Sequence, residues 1–262
     1  LKKLHSVAFR VTKAECLDLP EITEEVRAVE LEKDAAKIYD SIESDSYAEM
    51  DESEVTTANI LTRMLRLSQI TGGHLTDDGG VVNAVSSAKL NALSDIIDTA
   101  IAEDKKIVII ARFVPELDDI QELLEKKKIG YAVVRGGVKD RDSEIHSFQY
   151  DEKCRVFVGQ IAAAGLGITL TAASTMIFIL LIIPCRILNR QRHVFIGLVR
   201  PRSAIISTLV CKDTVDRKVL YALRKKINLA KMLVDDYRKG KDPFKKLRFL
   251  EGLNFSVVSE RR

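Results

Sequence analysis

The sequence contains no tryptophan and little cysteine, and its few cysteines follow no metal-binding pattern. Cys16, Cys154, Cys185 and Cys211 lie far apart, form no CxxC pair and have no histidine at ligand spacing. This spacing argues against a zinc site and against the disulfide framework of small secreted proteins. We therefore expect no metal site and a reducing, cytoplasmic location.

The sequence also lacks the long apolar runs of targeting and membrane segments. Its first residues, "LKKLHSVAFRVTK", have no apolar core like that of a signal peptide. The apolar run before the arginine-rich stretch extends only from Ile177 to Ile183, whereas a membrane span needs about 20 residues. We expect no membrane partner. The first residue is Leu rather than Met, which suggests a fragment or a processed product.

Basic and acidic residues nearly balance over the whole chain. The net charge is +3, and the chain is 46% hydrophobic and 30% charged. These values are typical of a soluble globular protein. A net charge this small neither requires nor excludes nucleic acid as a partner.

Residues 1–80 are acidic and helix-prone, and they predict a helical connecting segment. "EITEEVRAVELEKDAAKIYDSIES" has helical periodicity, and "TTANILTRMLRLSQITGG" predicts a second helix that ends at Gly72 and Gly73. The segment "DSYAEMDESEV" between them predicts a polar loop.

From Ser87 onward, helical and strand patterns alternate. "SAKLNALSDIIDTAIAEDKK" predicts an amphipathic helix, and the apolar run "KIVIIARF" predicts a strand that is buried on both faces. The alternation continues to "TVDRKVLYALRKKINLAKMLVDDYRK", which predicts a long helix. This order predicts an α/β fold with a parallel sheet flanked by helices over residues 81–238. No structure is predicted for the tail, residues 239–262.

One glycine-containing segment lies where a binding site is expected. In "CRVFVGQIAAAGLGITLTAASTMIF", Cys154 to Phe178, a buried strand leads into small residues and a GxG motif. Ligands of open parallel sheets bind beyond the carboxyl ends of the strands, and glycine lets the backbone approach a phosphate closely. A tight turn that packs a helix on a strand is the alternative interpretation.

The order of three segments resembles a known family. "KIVIIARFVPELDDIQELL", "YAVVRGGVKDRDSEIHSFQ" and "VFVGQIAAAGLGITLTAASTMIF" are similar to the second RecA-like lobe of superfamily 2 helicases, in particular Swi/Snf-type DNA-dependent ATPases of phage or bacterial type. The resemblance covers roughly Thr56 to Tyr237, apart from one gap. It implies a RecA-like fold preceded by a helical segment.

The resemblance also implies two groups of binding residues and no catalytic residue. In one group, residues approach the nucleotide: Gly165, Gly167 and Thr169. In the other, residues contact nucleic acid: Arg112, Phe113, Gly136, Gly137, Gln160 and Thr171. The alternatives are a solvated strand-end cation at Arg112 and ordinary strand-start residues at Thr169 and Thr171. The four histidines are scattered, and we expect them at the surface.

The arginine-rich stretch replaces a motif that the resemblance requires. After "STMIF", the family has a Gln followed by two closely spaced arginines, which reach the γ-phosphate and contribute roughly 10³–10⁵ in rate. Instead, Ile179 to Ile206 reads "ILLIIPCRILNRQRHVFIGLVRPRSAII", with five Arg and no Lys, Asp or Glu. Codons shifted by one base permit "SMSNFEQAKARVHRVGQAE", which resembles the missing motif. We therefore hypothesise two compensating frameshifts. A divergent segment and a basic patch that binds phosphates are the alternatives.

The sequence has neither the phosphate loop GxxxxGK[ST] nor the strand-backed acidic Mg²⁺ box of a first lobe. We therefore expect ATP and Mg²⁺ as cofactors only if a first lobe, for example on a separate ATPase chain, completes the cleft. The expected partner is nucleic acid, with DNA preferred to RNA. The alternative is a non-catalytic remnant that binds nucleic acid or a protein.

Overall fold

The structure is a computed structural model that describes residues 22–52, 57–77, 79–164, 170–179 and 204–224. The strands in these ranges are β1 (Ile22–Val29), β2 (His74–Thr76), β3 (Val82–Ala84), β4 (Ile107–Ala111), β5 (Gly130–Val134), β6 (Cys154–Gln160), β7 (Thr175–Phe178) and β8 (Ala204–Cys211). The helices are α1 (Lys33–Glu52), α2 (Thr57–Thr71), α3 (Ala88–Ala102), α4 (Val114–Lys126), α5 (Arg141–Tyr150), α6 (Ile161–Ala164) and α7 (Val215–Arg224).

Six of the strands form one parallel sheet in the order β1-β8-β7-β4-β6-β5. Helices connect several of its strands, as parallel crossovers require. β2 and β3 form a separate antiparallel hairpin. The prediction of an α/β fold with a RecA-like parallel sheet flanked by helices is confirmed.

Helices cover both faces of the sheet because the central strand is apolar on both. Ile107, Ile109 and Ala111 of β4 pack with the buried faces of α3 and α4. The alternate residues of the same strand, Val108 and Ile110, belong to a second core that contains residues of α1, α2, α5 and α7. This alternation follows from the two-residue period of a β-strand. All five residues of β4 are buried, as its apolar run predicts.

The prediction for the first eighty residues is wrong at two places. Ile22–Val29 forms an edge strand, β1, which pairs along its length with β8, whereas its sequence favoured a helix. Pairing with a strand remote in sequence overrides a local charge pattern that resembles a helix. In addition, α1 extends to Glu52, into the predicted polar loop. The domain boundary at residue 80 stays a prediction.

Several predictions concern residues that lie outside the described ones. They include most of the arginine-rich stretch, the residues after Arg224 for which a helix was predicted, and the tail at 239–262. The two ends of the stretch are described and apolar: Ile179 is buried and donates its N–H to the carbonyl of Ile110, and Ile206 is buried in β8. The frameshift hypothesis stays a prediction. None of the described helices is long and apolar enough to cross a membrane.

A buried ion pair joins elements from distant parts of the sequence. Lys89 Nζ of α3 lies 2.6 Å from Asp216 Oδ2 of α7, and both side chains are buried. The same Asp216 carboxylate accepts hydrogen bonds from Thr71 Oγ1 at 2.9 Å and from the N–H of Cys211 at 3.0 Å. Lys89 also donates to the carbonyl of Ile179 at 2.9 Å. Burial lowers the pKa of Lys89, but Asp216 opposes this effect and the net pKa is raised.

Candidate nucleic-acid interface

Three neighbouring strands bring five of the predicted site residues to the carboxyl edge of the sheet, which is the side where its parallel strands end. β4, β6 and β5 are adjacent and parallel, so their carboxyl ends meet. Arg112 and Phe113 follow β4, Gln160 ends β6, and Gly136 and Gly137 lie just beyond β5. Ligands of parallel sheets bind at this edge.

The side chain of Gln160 bridges the loops that follow the other two strands. Its Nε2 donates to the carbonyl of Arg112 at 3.3 Å, and its Oε1 accepts the N–H of Gly136 at 2.9 Å. Because one amide uses its donor on one loop and its acceptor on the other, it fixes their separation. Gln160 therefore organises the edge through protein contacts, in addition to the nucleic-acid contact that the resemblance implies.

The turn after β5 depends on its second glycine. Gly137 has φ +90°, a left-handed conformation that side-chain-bearing residues rarely adopt. The N–H of Val138 donates to the carbonyl of Arg135 at 3.3 Å and closes the turn. The Arg135 guanidinium pairs with Asp118 of α4, which ties the end of β5 to the neighbouring helix. Both glycines are exposed, so their backbone is accessible from solvent.

Arg112 and Phe113 place a cation and a ring side by side. The Arg112 guanidinium carbon lies 5.4 Å from the centroid of the Phe113 ring, within range of a cation–π contact. Both side chains are half-buried. Burial lowers the pKa of Arg112 and nearby Glu116 raises it, yet an arginine stays cationic at neutral pH. The pair combines a charge that attracts phosphate with an apolar surface that can contact a sugar or base.

Glu116 of α4 holds the backbone of Arg112 and Phe113 through hydrogen bonds. Its Oε2 accepts the N–H groups of Arg112 at 3.0 Å and Phe113 at 2.9 Å, and so caps the first turn of the helix. Burial raises the pKa of Glu116 to about 7. Its Oε1 is buried, has no hydrogen-bond partner, and borders a cavity of about 20 Å³ that Gly72 and Lys89 also line. A cavity of this size has room for a single water molecule.

The other predicted site residues are not part of this cluster. Thr171 precedes β7 and is bound to Gln149 in the last turn of α5, which places it at the opposite edge of the parallel sheet. Gly165, Gly167 and Thr169 lie outside the described residues. The roles of all four residues stay predictions.

The expectation that all four histidines lie at the surface is wrong for one of them. His74 is buried, and its Nε2 lies 3.2 Å from Asp119 Oδ2 of α4. His146 is exposed and stacks obliquely on Tyr150, with ring centroids 4.6 Å apart. His5 and His193 lie outside the described residues.

The sequence reasoning missed the residues that support the edge from within. Glu116 was detectable, because a glutamate at the third position of a helix that begins near a proline is a capping signal. Lys89 and Asp216 gave no such signal, since they are far apart in sequence and resemble ordinary surface charges. Among the described residues, no three His, Cys, Asp or Glu side chains are close enough together to hold a metal ion.

Comparison with known proteins gives consistent matches. The helicase conserved C-terminal domain family matches residues 88–182. An uncharacterized ATP-dependent helicase of Mycoplasma genitalium is 28% identical over 90% of this chain and 23% of its own length. A SWI/SNF-related matrix-associated actin-dependent regulator of chromatin, subfamily A-like protein 1, of Xenopus laevis is 31% identical over 56% of this chain and 16% of its own. The chain thus spans less than a quarter of these curated relatives.

Solved structures share the fold. The Sulfolobus solfataricus SWI2/SNF2 ATPase core in complex with dsDNA superposes with a TM-score of 0.68 at 26% identity, over 88% of this chain and 49% of that one. The C-terminal domain of the same ATPase superposes with a TM-score of 0.64 at 21% identity, over 84% of this chain and 97% of that domain. Together with the motif order and the sheet topology, these matches support a helicase conserved C-terminal domain at residues 88–182 that is similar to the C-terminal lobe of Swi/Snf-type superfamily 2 helicases.

Proposed function

We propose that this chain is the second lobe of a nucleic-acid-dependent ATPase, and that the edge formed by Arg112, Phe113, Gly136, Gly137 and Gln160 contacts the phosphodiester backbone. The observation that carries the proposal is the bridge made by Gln160 between the loops after β4 and β5. This bridge fixes the distance between the backbone of the half-exposed Arg112 and the exposed turn that contains Gly136 and Gly137.

Physical chemistry favours a backbone ligand at this edge. Arginine is a common phosphate-binding residue, and contacts of this kind position a duplex without reading its sequence. The buried Glu116 carboxyl group holds the backbone of Arg112 and Phe113 in place through their N–H groups. The double-stranded DNA in the related Sulfolobus structure supports duplex DNA as the ligand, in preference to RNA.

ATP enters the proposal only through a completed cleft. Gly165, Gly167 and Thr169 would approach the nucleotide from this lobe, while a first lobe, which a separate ATPase chain could provide, would supply the phosphate loop and the Mg²⁺ ligands. A 262-residue polypeptide of this sequence is then expected to bind DNA but not to hydrolyse ATP. A cytoplasmic location is part of the same proposal, since the described cysteines, Cys154 and Cys211, are free and buried.

The test is duplex DNA binding measured by fluorescence anisotropy over a series of salt concentrations. We expect Arg112→Ala to weaken binding by about tenfold and to lower the salt dependence by about one counterion, because one phosphate contact is lost. Arg112→Lys keeps the charge and should retain most of the salt dependence. A duplex RNA of equal length should bind more weakly than the DNA.

Lys126→Ala is the matched control. Lys126 is an exposed cation in the last turn of α4, at the other end of that helix, and pairs with Glu122 at 2.7 Å. Its loss removes the same charge without touching the edge. If Arg112→Ala and Lys126→Ala weaken binding equally, the edge is not the nucleic-acid site.

A second candidate function is a non-catalytic module that binds nucleic acid or a protein. The hypothesised loss of the arginine motif in residues 179–206 favours it, because both arginines that reach the γ-phosphate would be missing. The two candidates differ when a first-lobe ATPase chain of the same source is added. Restored, DNA-stimulated hydrolysis supports the ATPase, and background hydrolysis supports the module.

A further inference from the structure

The end of helix α2 is attached to α7 and to the segment that follows β3. The hydroxyl of Thr71, the last residue of α2, donates to Asp216 Oδ1 of α7 at 2.9 Å. The carbonyl of Gly73 accepts the N–H of Val85 at 2.8 Å. These contacts fix the position of residues 71–74, which we call the α2 junction.

The α2 junction also contacts the first two turns of α4. Glu116 and Asp119 are three positions apart, so they are neighbours on one face of that helix. His74 Nε2 lies 3.2 Å from Asp119 Oδ2. Gly72 lies against Glu116, because a Cβ at position 72 would come closer than 3.0 Å to Glu116 Oε1, a distance that real Cβ atoms essentially never show. Only glycine therefore leaves room at position 72 for the Glu116 carboxyl group.

The Glu116 carboxyl group joins the α2 junction to the chain just after β4. Its Oε2 accepts the N–H groups of Arg112 at 3.0 Å and Phe113 at 2.9 Å, while its Oε1 is the atom that faces Gly72. The two oxygens belong to one planar group, so a side chain at position 72 that displaces Oε1 also moves Oε2 away from the two N–H groups. One side chain thus couples the end of α2 to the backbone of the candidate interface.

We propose that Gly72 is a positioning residue, which acts through Glu116 to hold Arg112 and Phe113 where they contact the phosphodiester backbone. This inference rests on the proposed function, and it adds the end of α2 to the parts of the molecule that determine nucleic-acid affinity. Loss of the two hydrogen bonds frees the backbone after β4, and this freedom must be lost again when DNA binds.

The test is a double-mutant cycle of Gly72→Ala and Glu116→Ala in the 262-residue chain. Gly72→Ala should accelerate hydrogen exchange in peptides covering residues 110–117 by about tenfold and weaken duplex DNA binding by about threefold to tenfold, because hydrogen bonds to Glu116 are lost. Glu116→Ala should have effects at least as large. Adding Gly72→Ala to Glu116→Ala should change neither quantity further, because no carboxyl group remains for the new methyl group to displace.

Two other variants at position 116 complete the cycle. Glu116→Gln keeps an acceptor oxygen for the two N–H groups, so it should retain slow exchange in residues 110–117 and most of the DNA affinity. If Glu116→Ala does not fold, Glu116→Ser takes its place in the cycle, since it also lacks the distal carboxyl group.

Gly79→Ala is the matched control for Gly72→Ala. A Cβ at position 79 would lie 3.3 Å from Asp77 Oδ1, and this oxygen also accepts a backbone N–H, that of Val81, at 2.8 Å. The same methyl group is therefore added beside a carboxylate that holds the backbone, but in the turn between β2 and β3. Exchange in residues 110–117 and DNA binding should stay as in the unmutated chain.

Each result decides the proposal. A further loss of DNA affinity when Gly72→Ala is added to Glu116→Ala overturns it, because Gly72 would then act through another group. Equal exchange and binding in Gly72→Ala and Gly79→Ala overturn it, and so does faster exchange in residues 110–117 with DNA affinity unaltered. Faster exchange across all peptides indicates a purely structural role and also overturns it.

Failure of the proposed function gives a different result. If the unmutated chain does not bind duplex DNA, the proposed function fails and the role of Gly72 in binding fails with it. The exchange measurements then still show whether Gly72 positions Arg112 and Phe113 through Glu116, since they require no DNA.

Discussion

Glu116 shows how a single buried carboxyl group can support the proposed binding edge. It is fully buried, and its Oε2 holds the backbone of Arg112 and Phe113. Burial raises its pKa from 4.5 to about 7, so the neutral acid predominates in the folded protein below neutral pH. A neutral acid keeps one acceptor oxygen for the two N–H groups without the cost of a buried charge.

This pKa predicts a pH dependence of stability. Between about pH 4.5 and 7, folded Glu116 retains a proton that the unfolded chain has lost, so the free energy of unfolding falls as the pH rises and levels off above 7. Over this pH range, the raised pKa of Glu116 changes the free energy of unfolding by on the order of 3 kcal/mol. Glu116→Gln should flatten this part of the profile in urea unfolding at several pH values. An unchanged slope in Glu116→Gln would show that another group titrates.

At the scale of elements, substitutions in the turn after β5 test whether the carboxyl edge binds DNA. Gly137 and Gly80 both have positive φ, +90° and +82°, and an added Cβ would meet nothing within 4 Å at either position. Gly137→Ala and Gly80→Ala should therefore lose similar amounts of stability, about 1–2 kcal/mol. Only Gly137→Ala should also weaken duplex DNA binding, because Gly80 lies in the β2–β3 hairpin. If the two variants bind duplex DNA equally well, the turn is not part of the nucleic-acid site.

The elements also show how far sequence reasoning reaches. Periodicity predicted α3, and an apolar run predicted β4, since each records the faces that the element buries. Periodicity gave the wrong prediction at β1, where the charged residues Glu24, Glu25 and Arg27 of an edge strand resemble a helical pattern. Only pairing with β8, about 180 residues later, makes this segment a strand, and such pairing leaves no local signal.

At the scale of the whole molecule, motif order predicted the fold and five residues of the candidate site. Strands that alternate with helices must bring their carboxyl ends together, so Arg112, Gly136 and Gln160 were predictable neighbours. Their mutual contacts were not predictable, because the Gln160 bridge depends on side-chain orientation. Thr171 was grouped with them on resemblance alone, and the direction of β7 places it at the other edge.

The composition of the whole molecule also explains why we expect DNA binding without ATP hydrolysis. The described sheet provides the proposed nucleic-acid edge, while the phosphate loop and Mg²⁺ box of a first lobe do not occur in the sequence. A nucleotide held by one lobe alone lacks the groups that stabilise charge on the transferred phosphoryl group. We therefore expect binding of DNA and catalysis of ATP hydrolysis to be separable in this polypeptide.

Phosphate release from ATP by the purified 262-residue chain, followed during a titration with duplex DNA, tests the central claim most directly. The account predicts that the rate stays at the background of a protein-free sample at every DNA concentration, including those that saturate binding in the anisotropy assay. A rate that rises with added DNA and saturates with it would contradict the account, because this lobe would then catalyse hydrolysis without a partner.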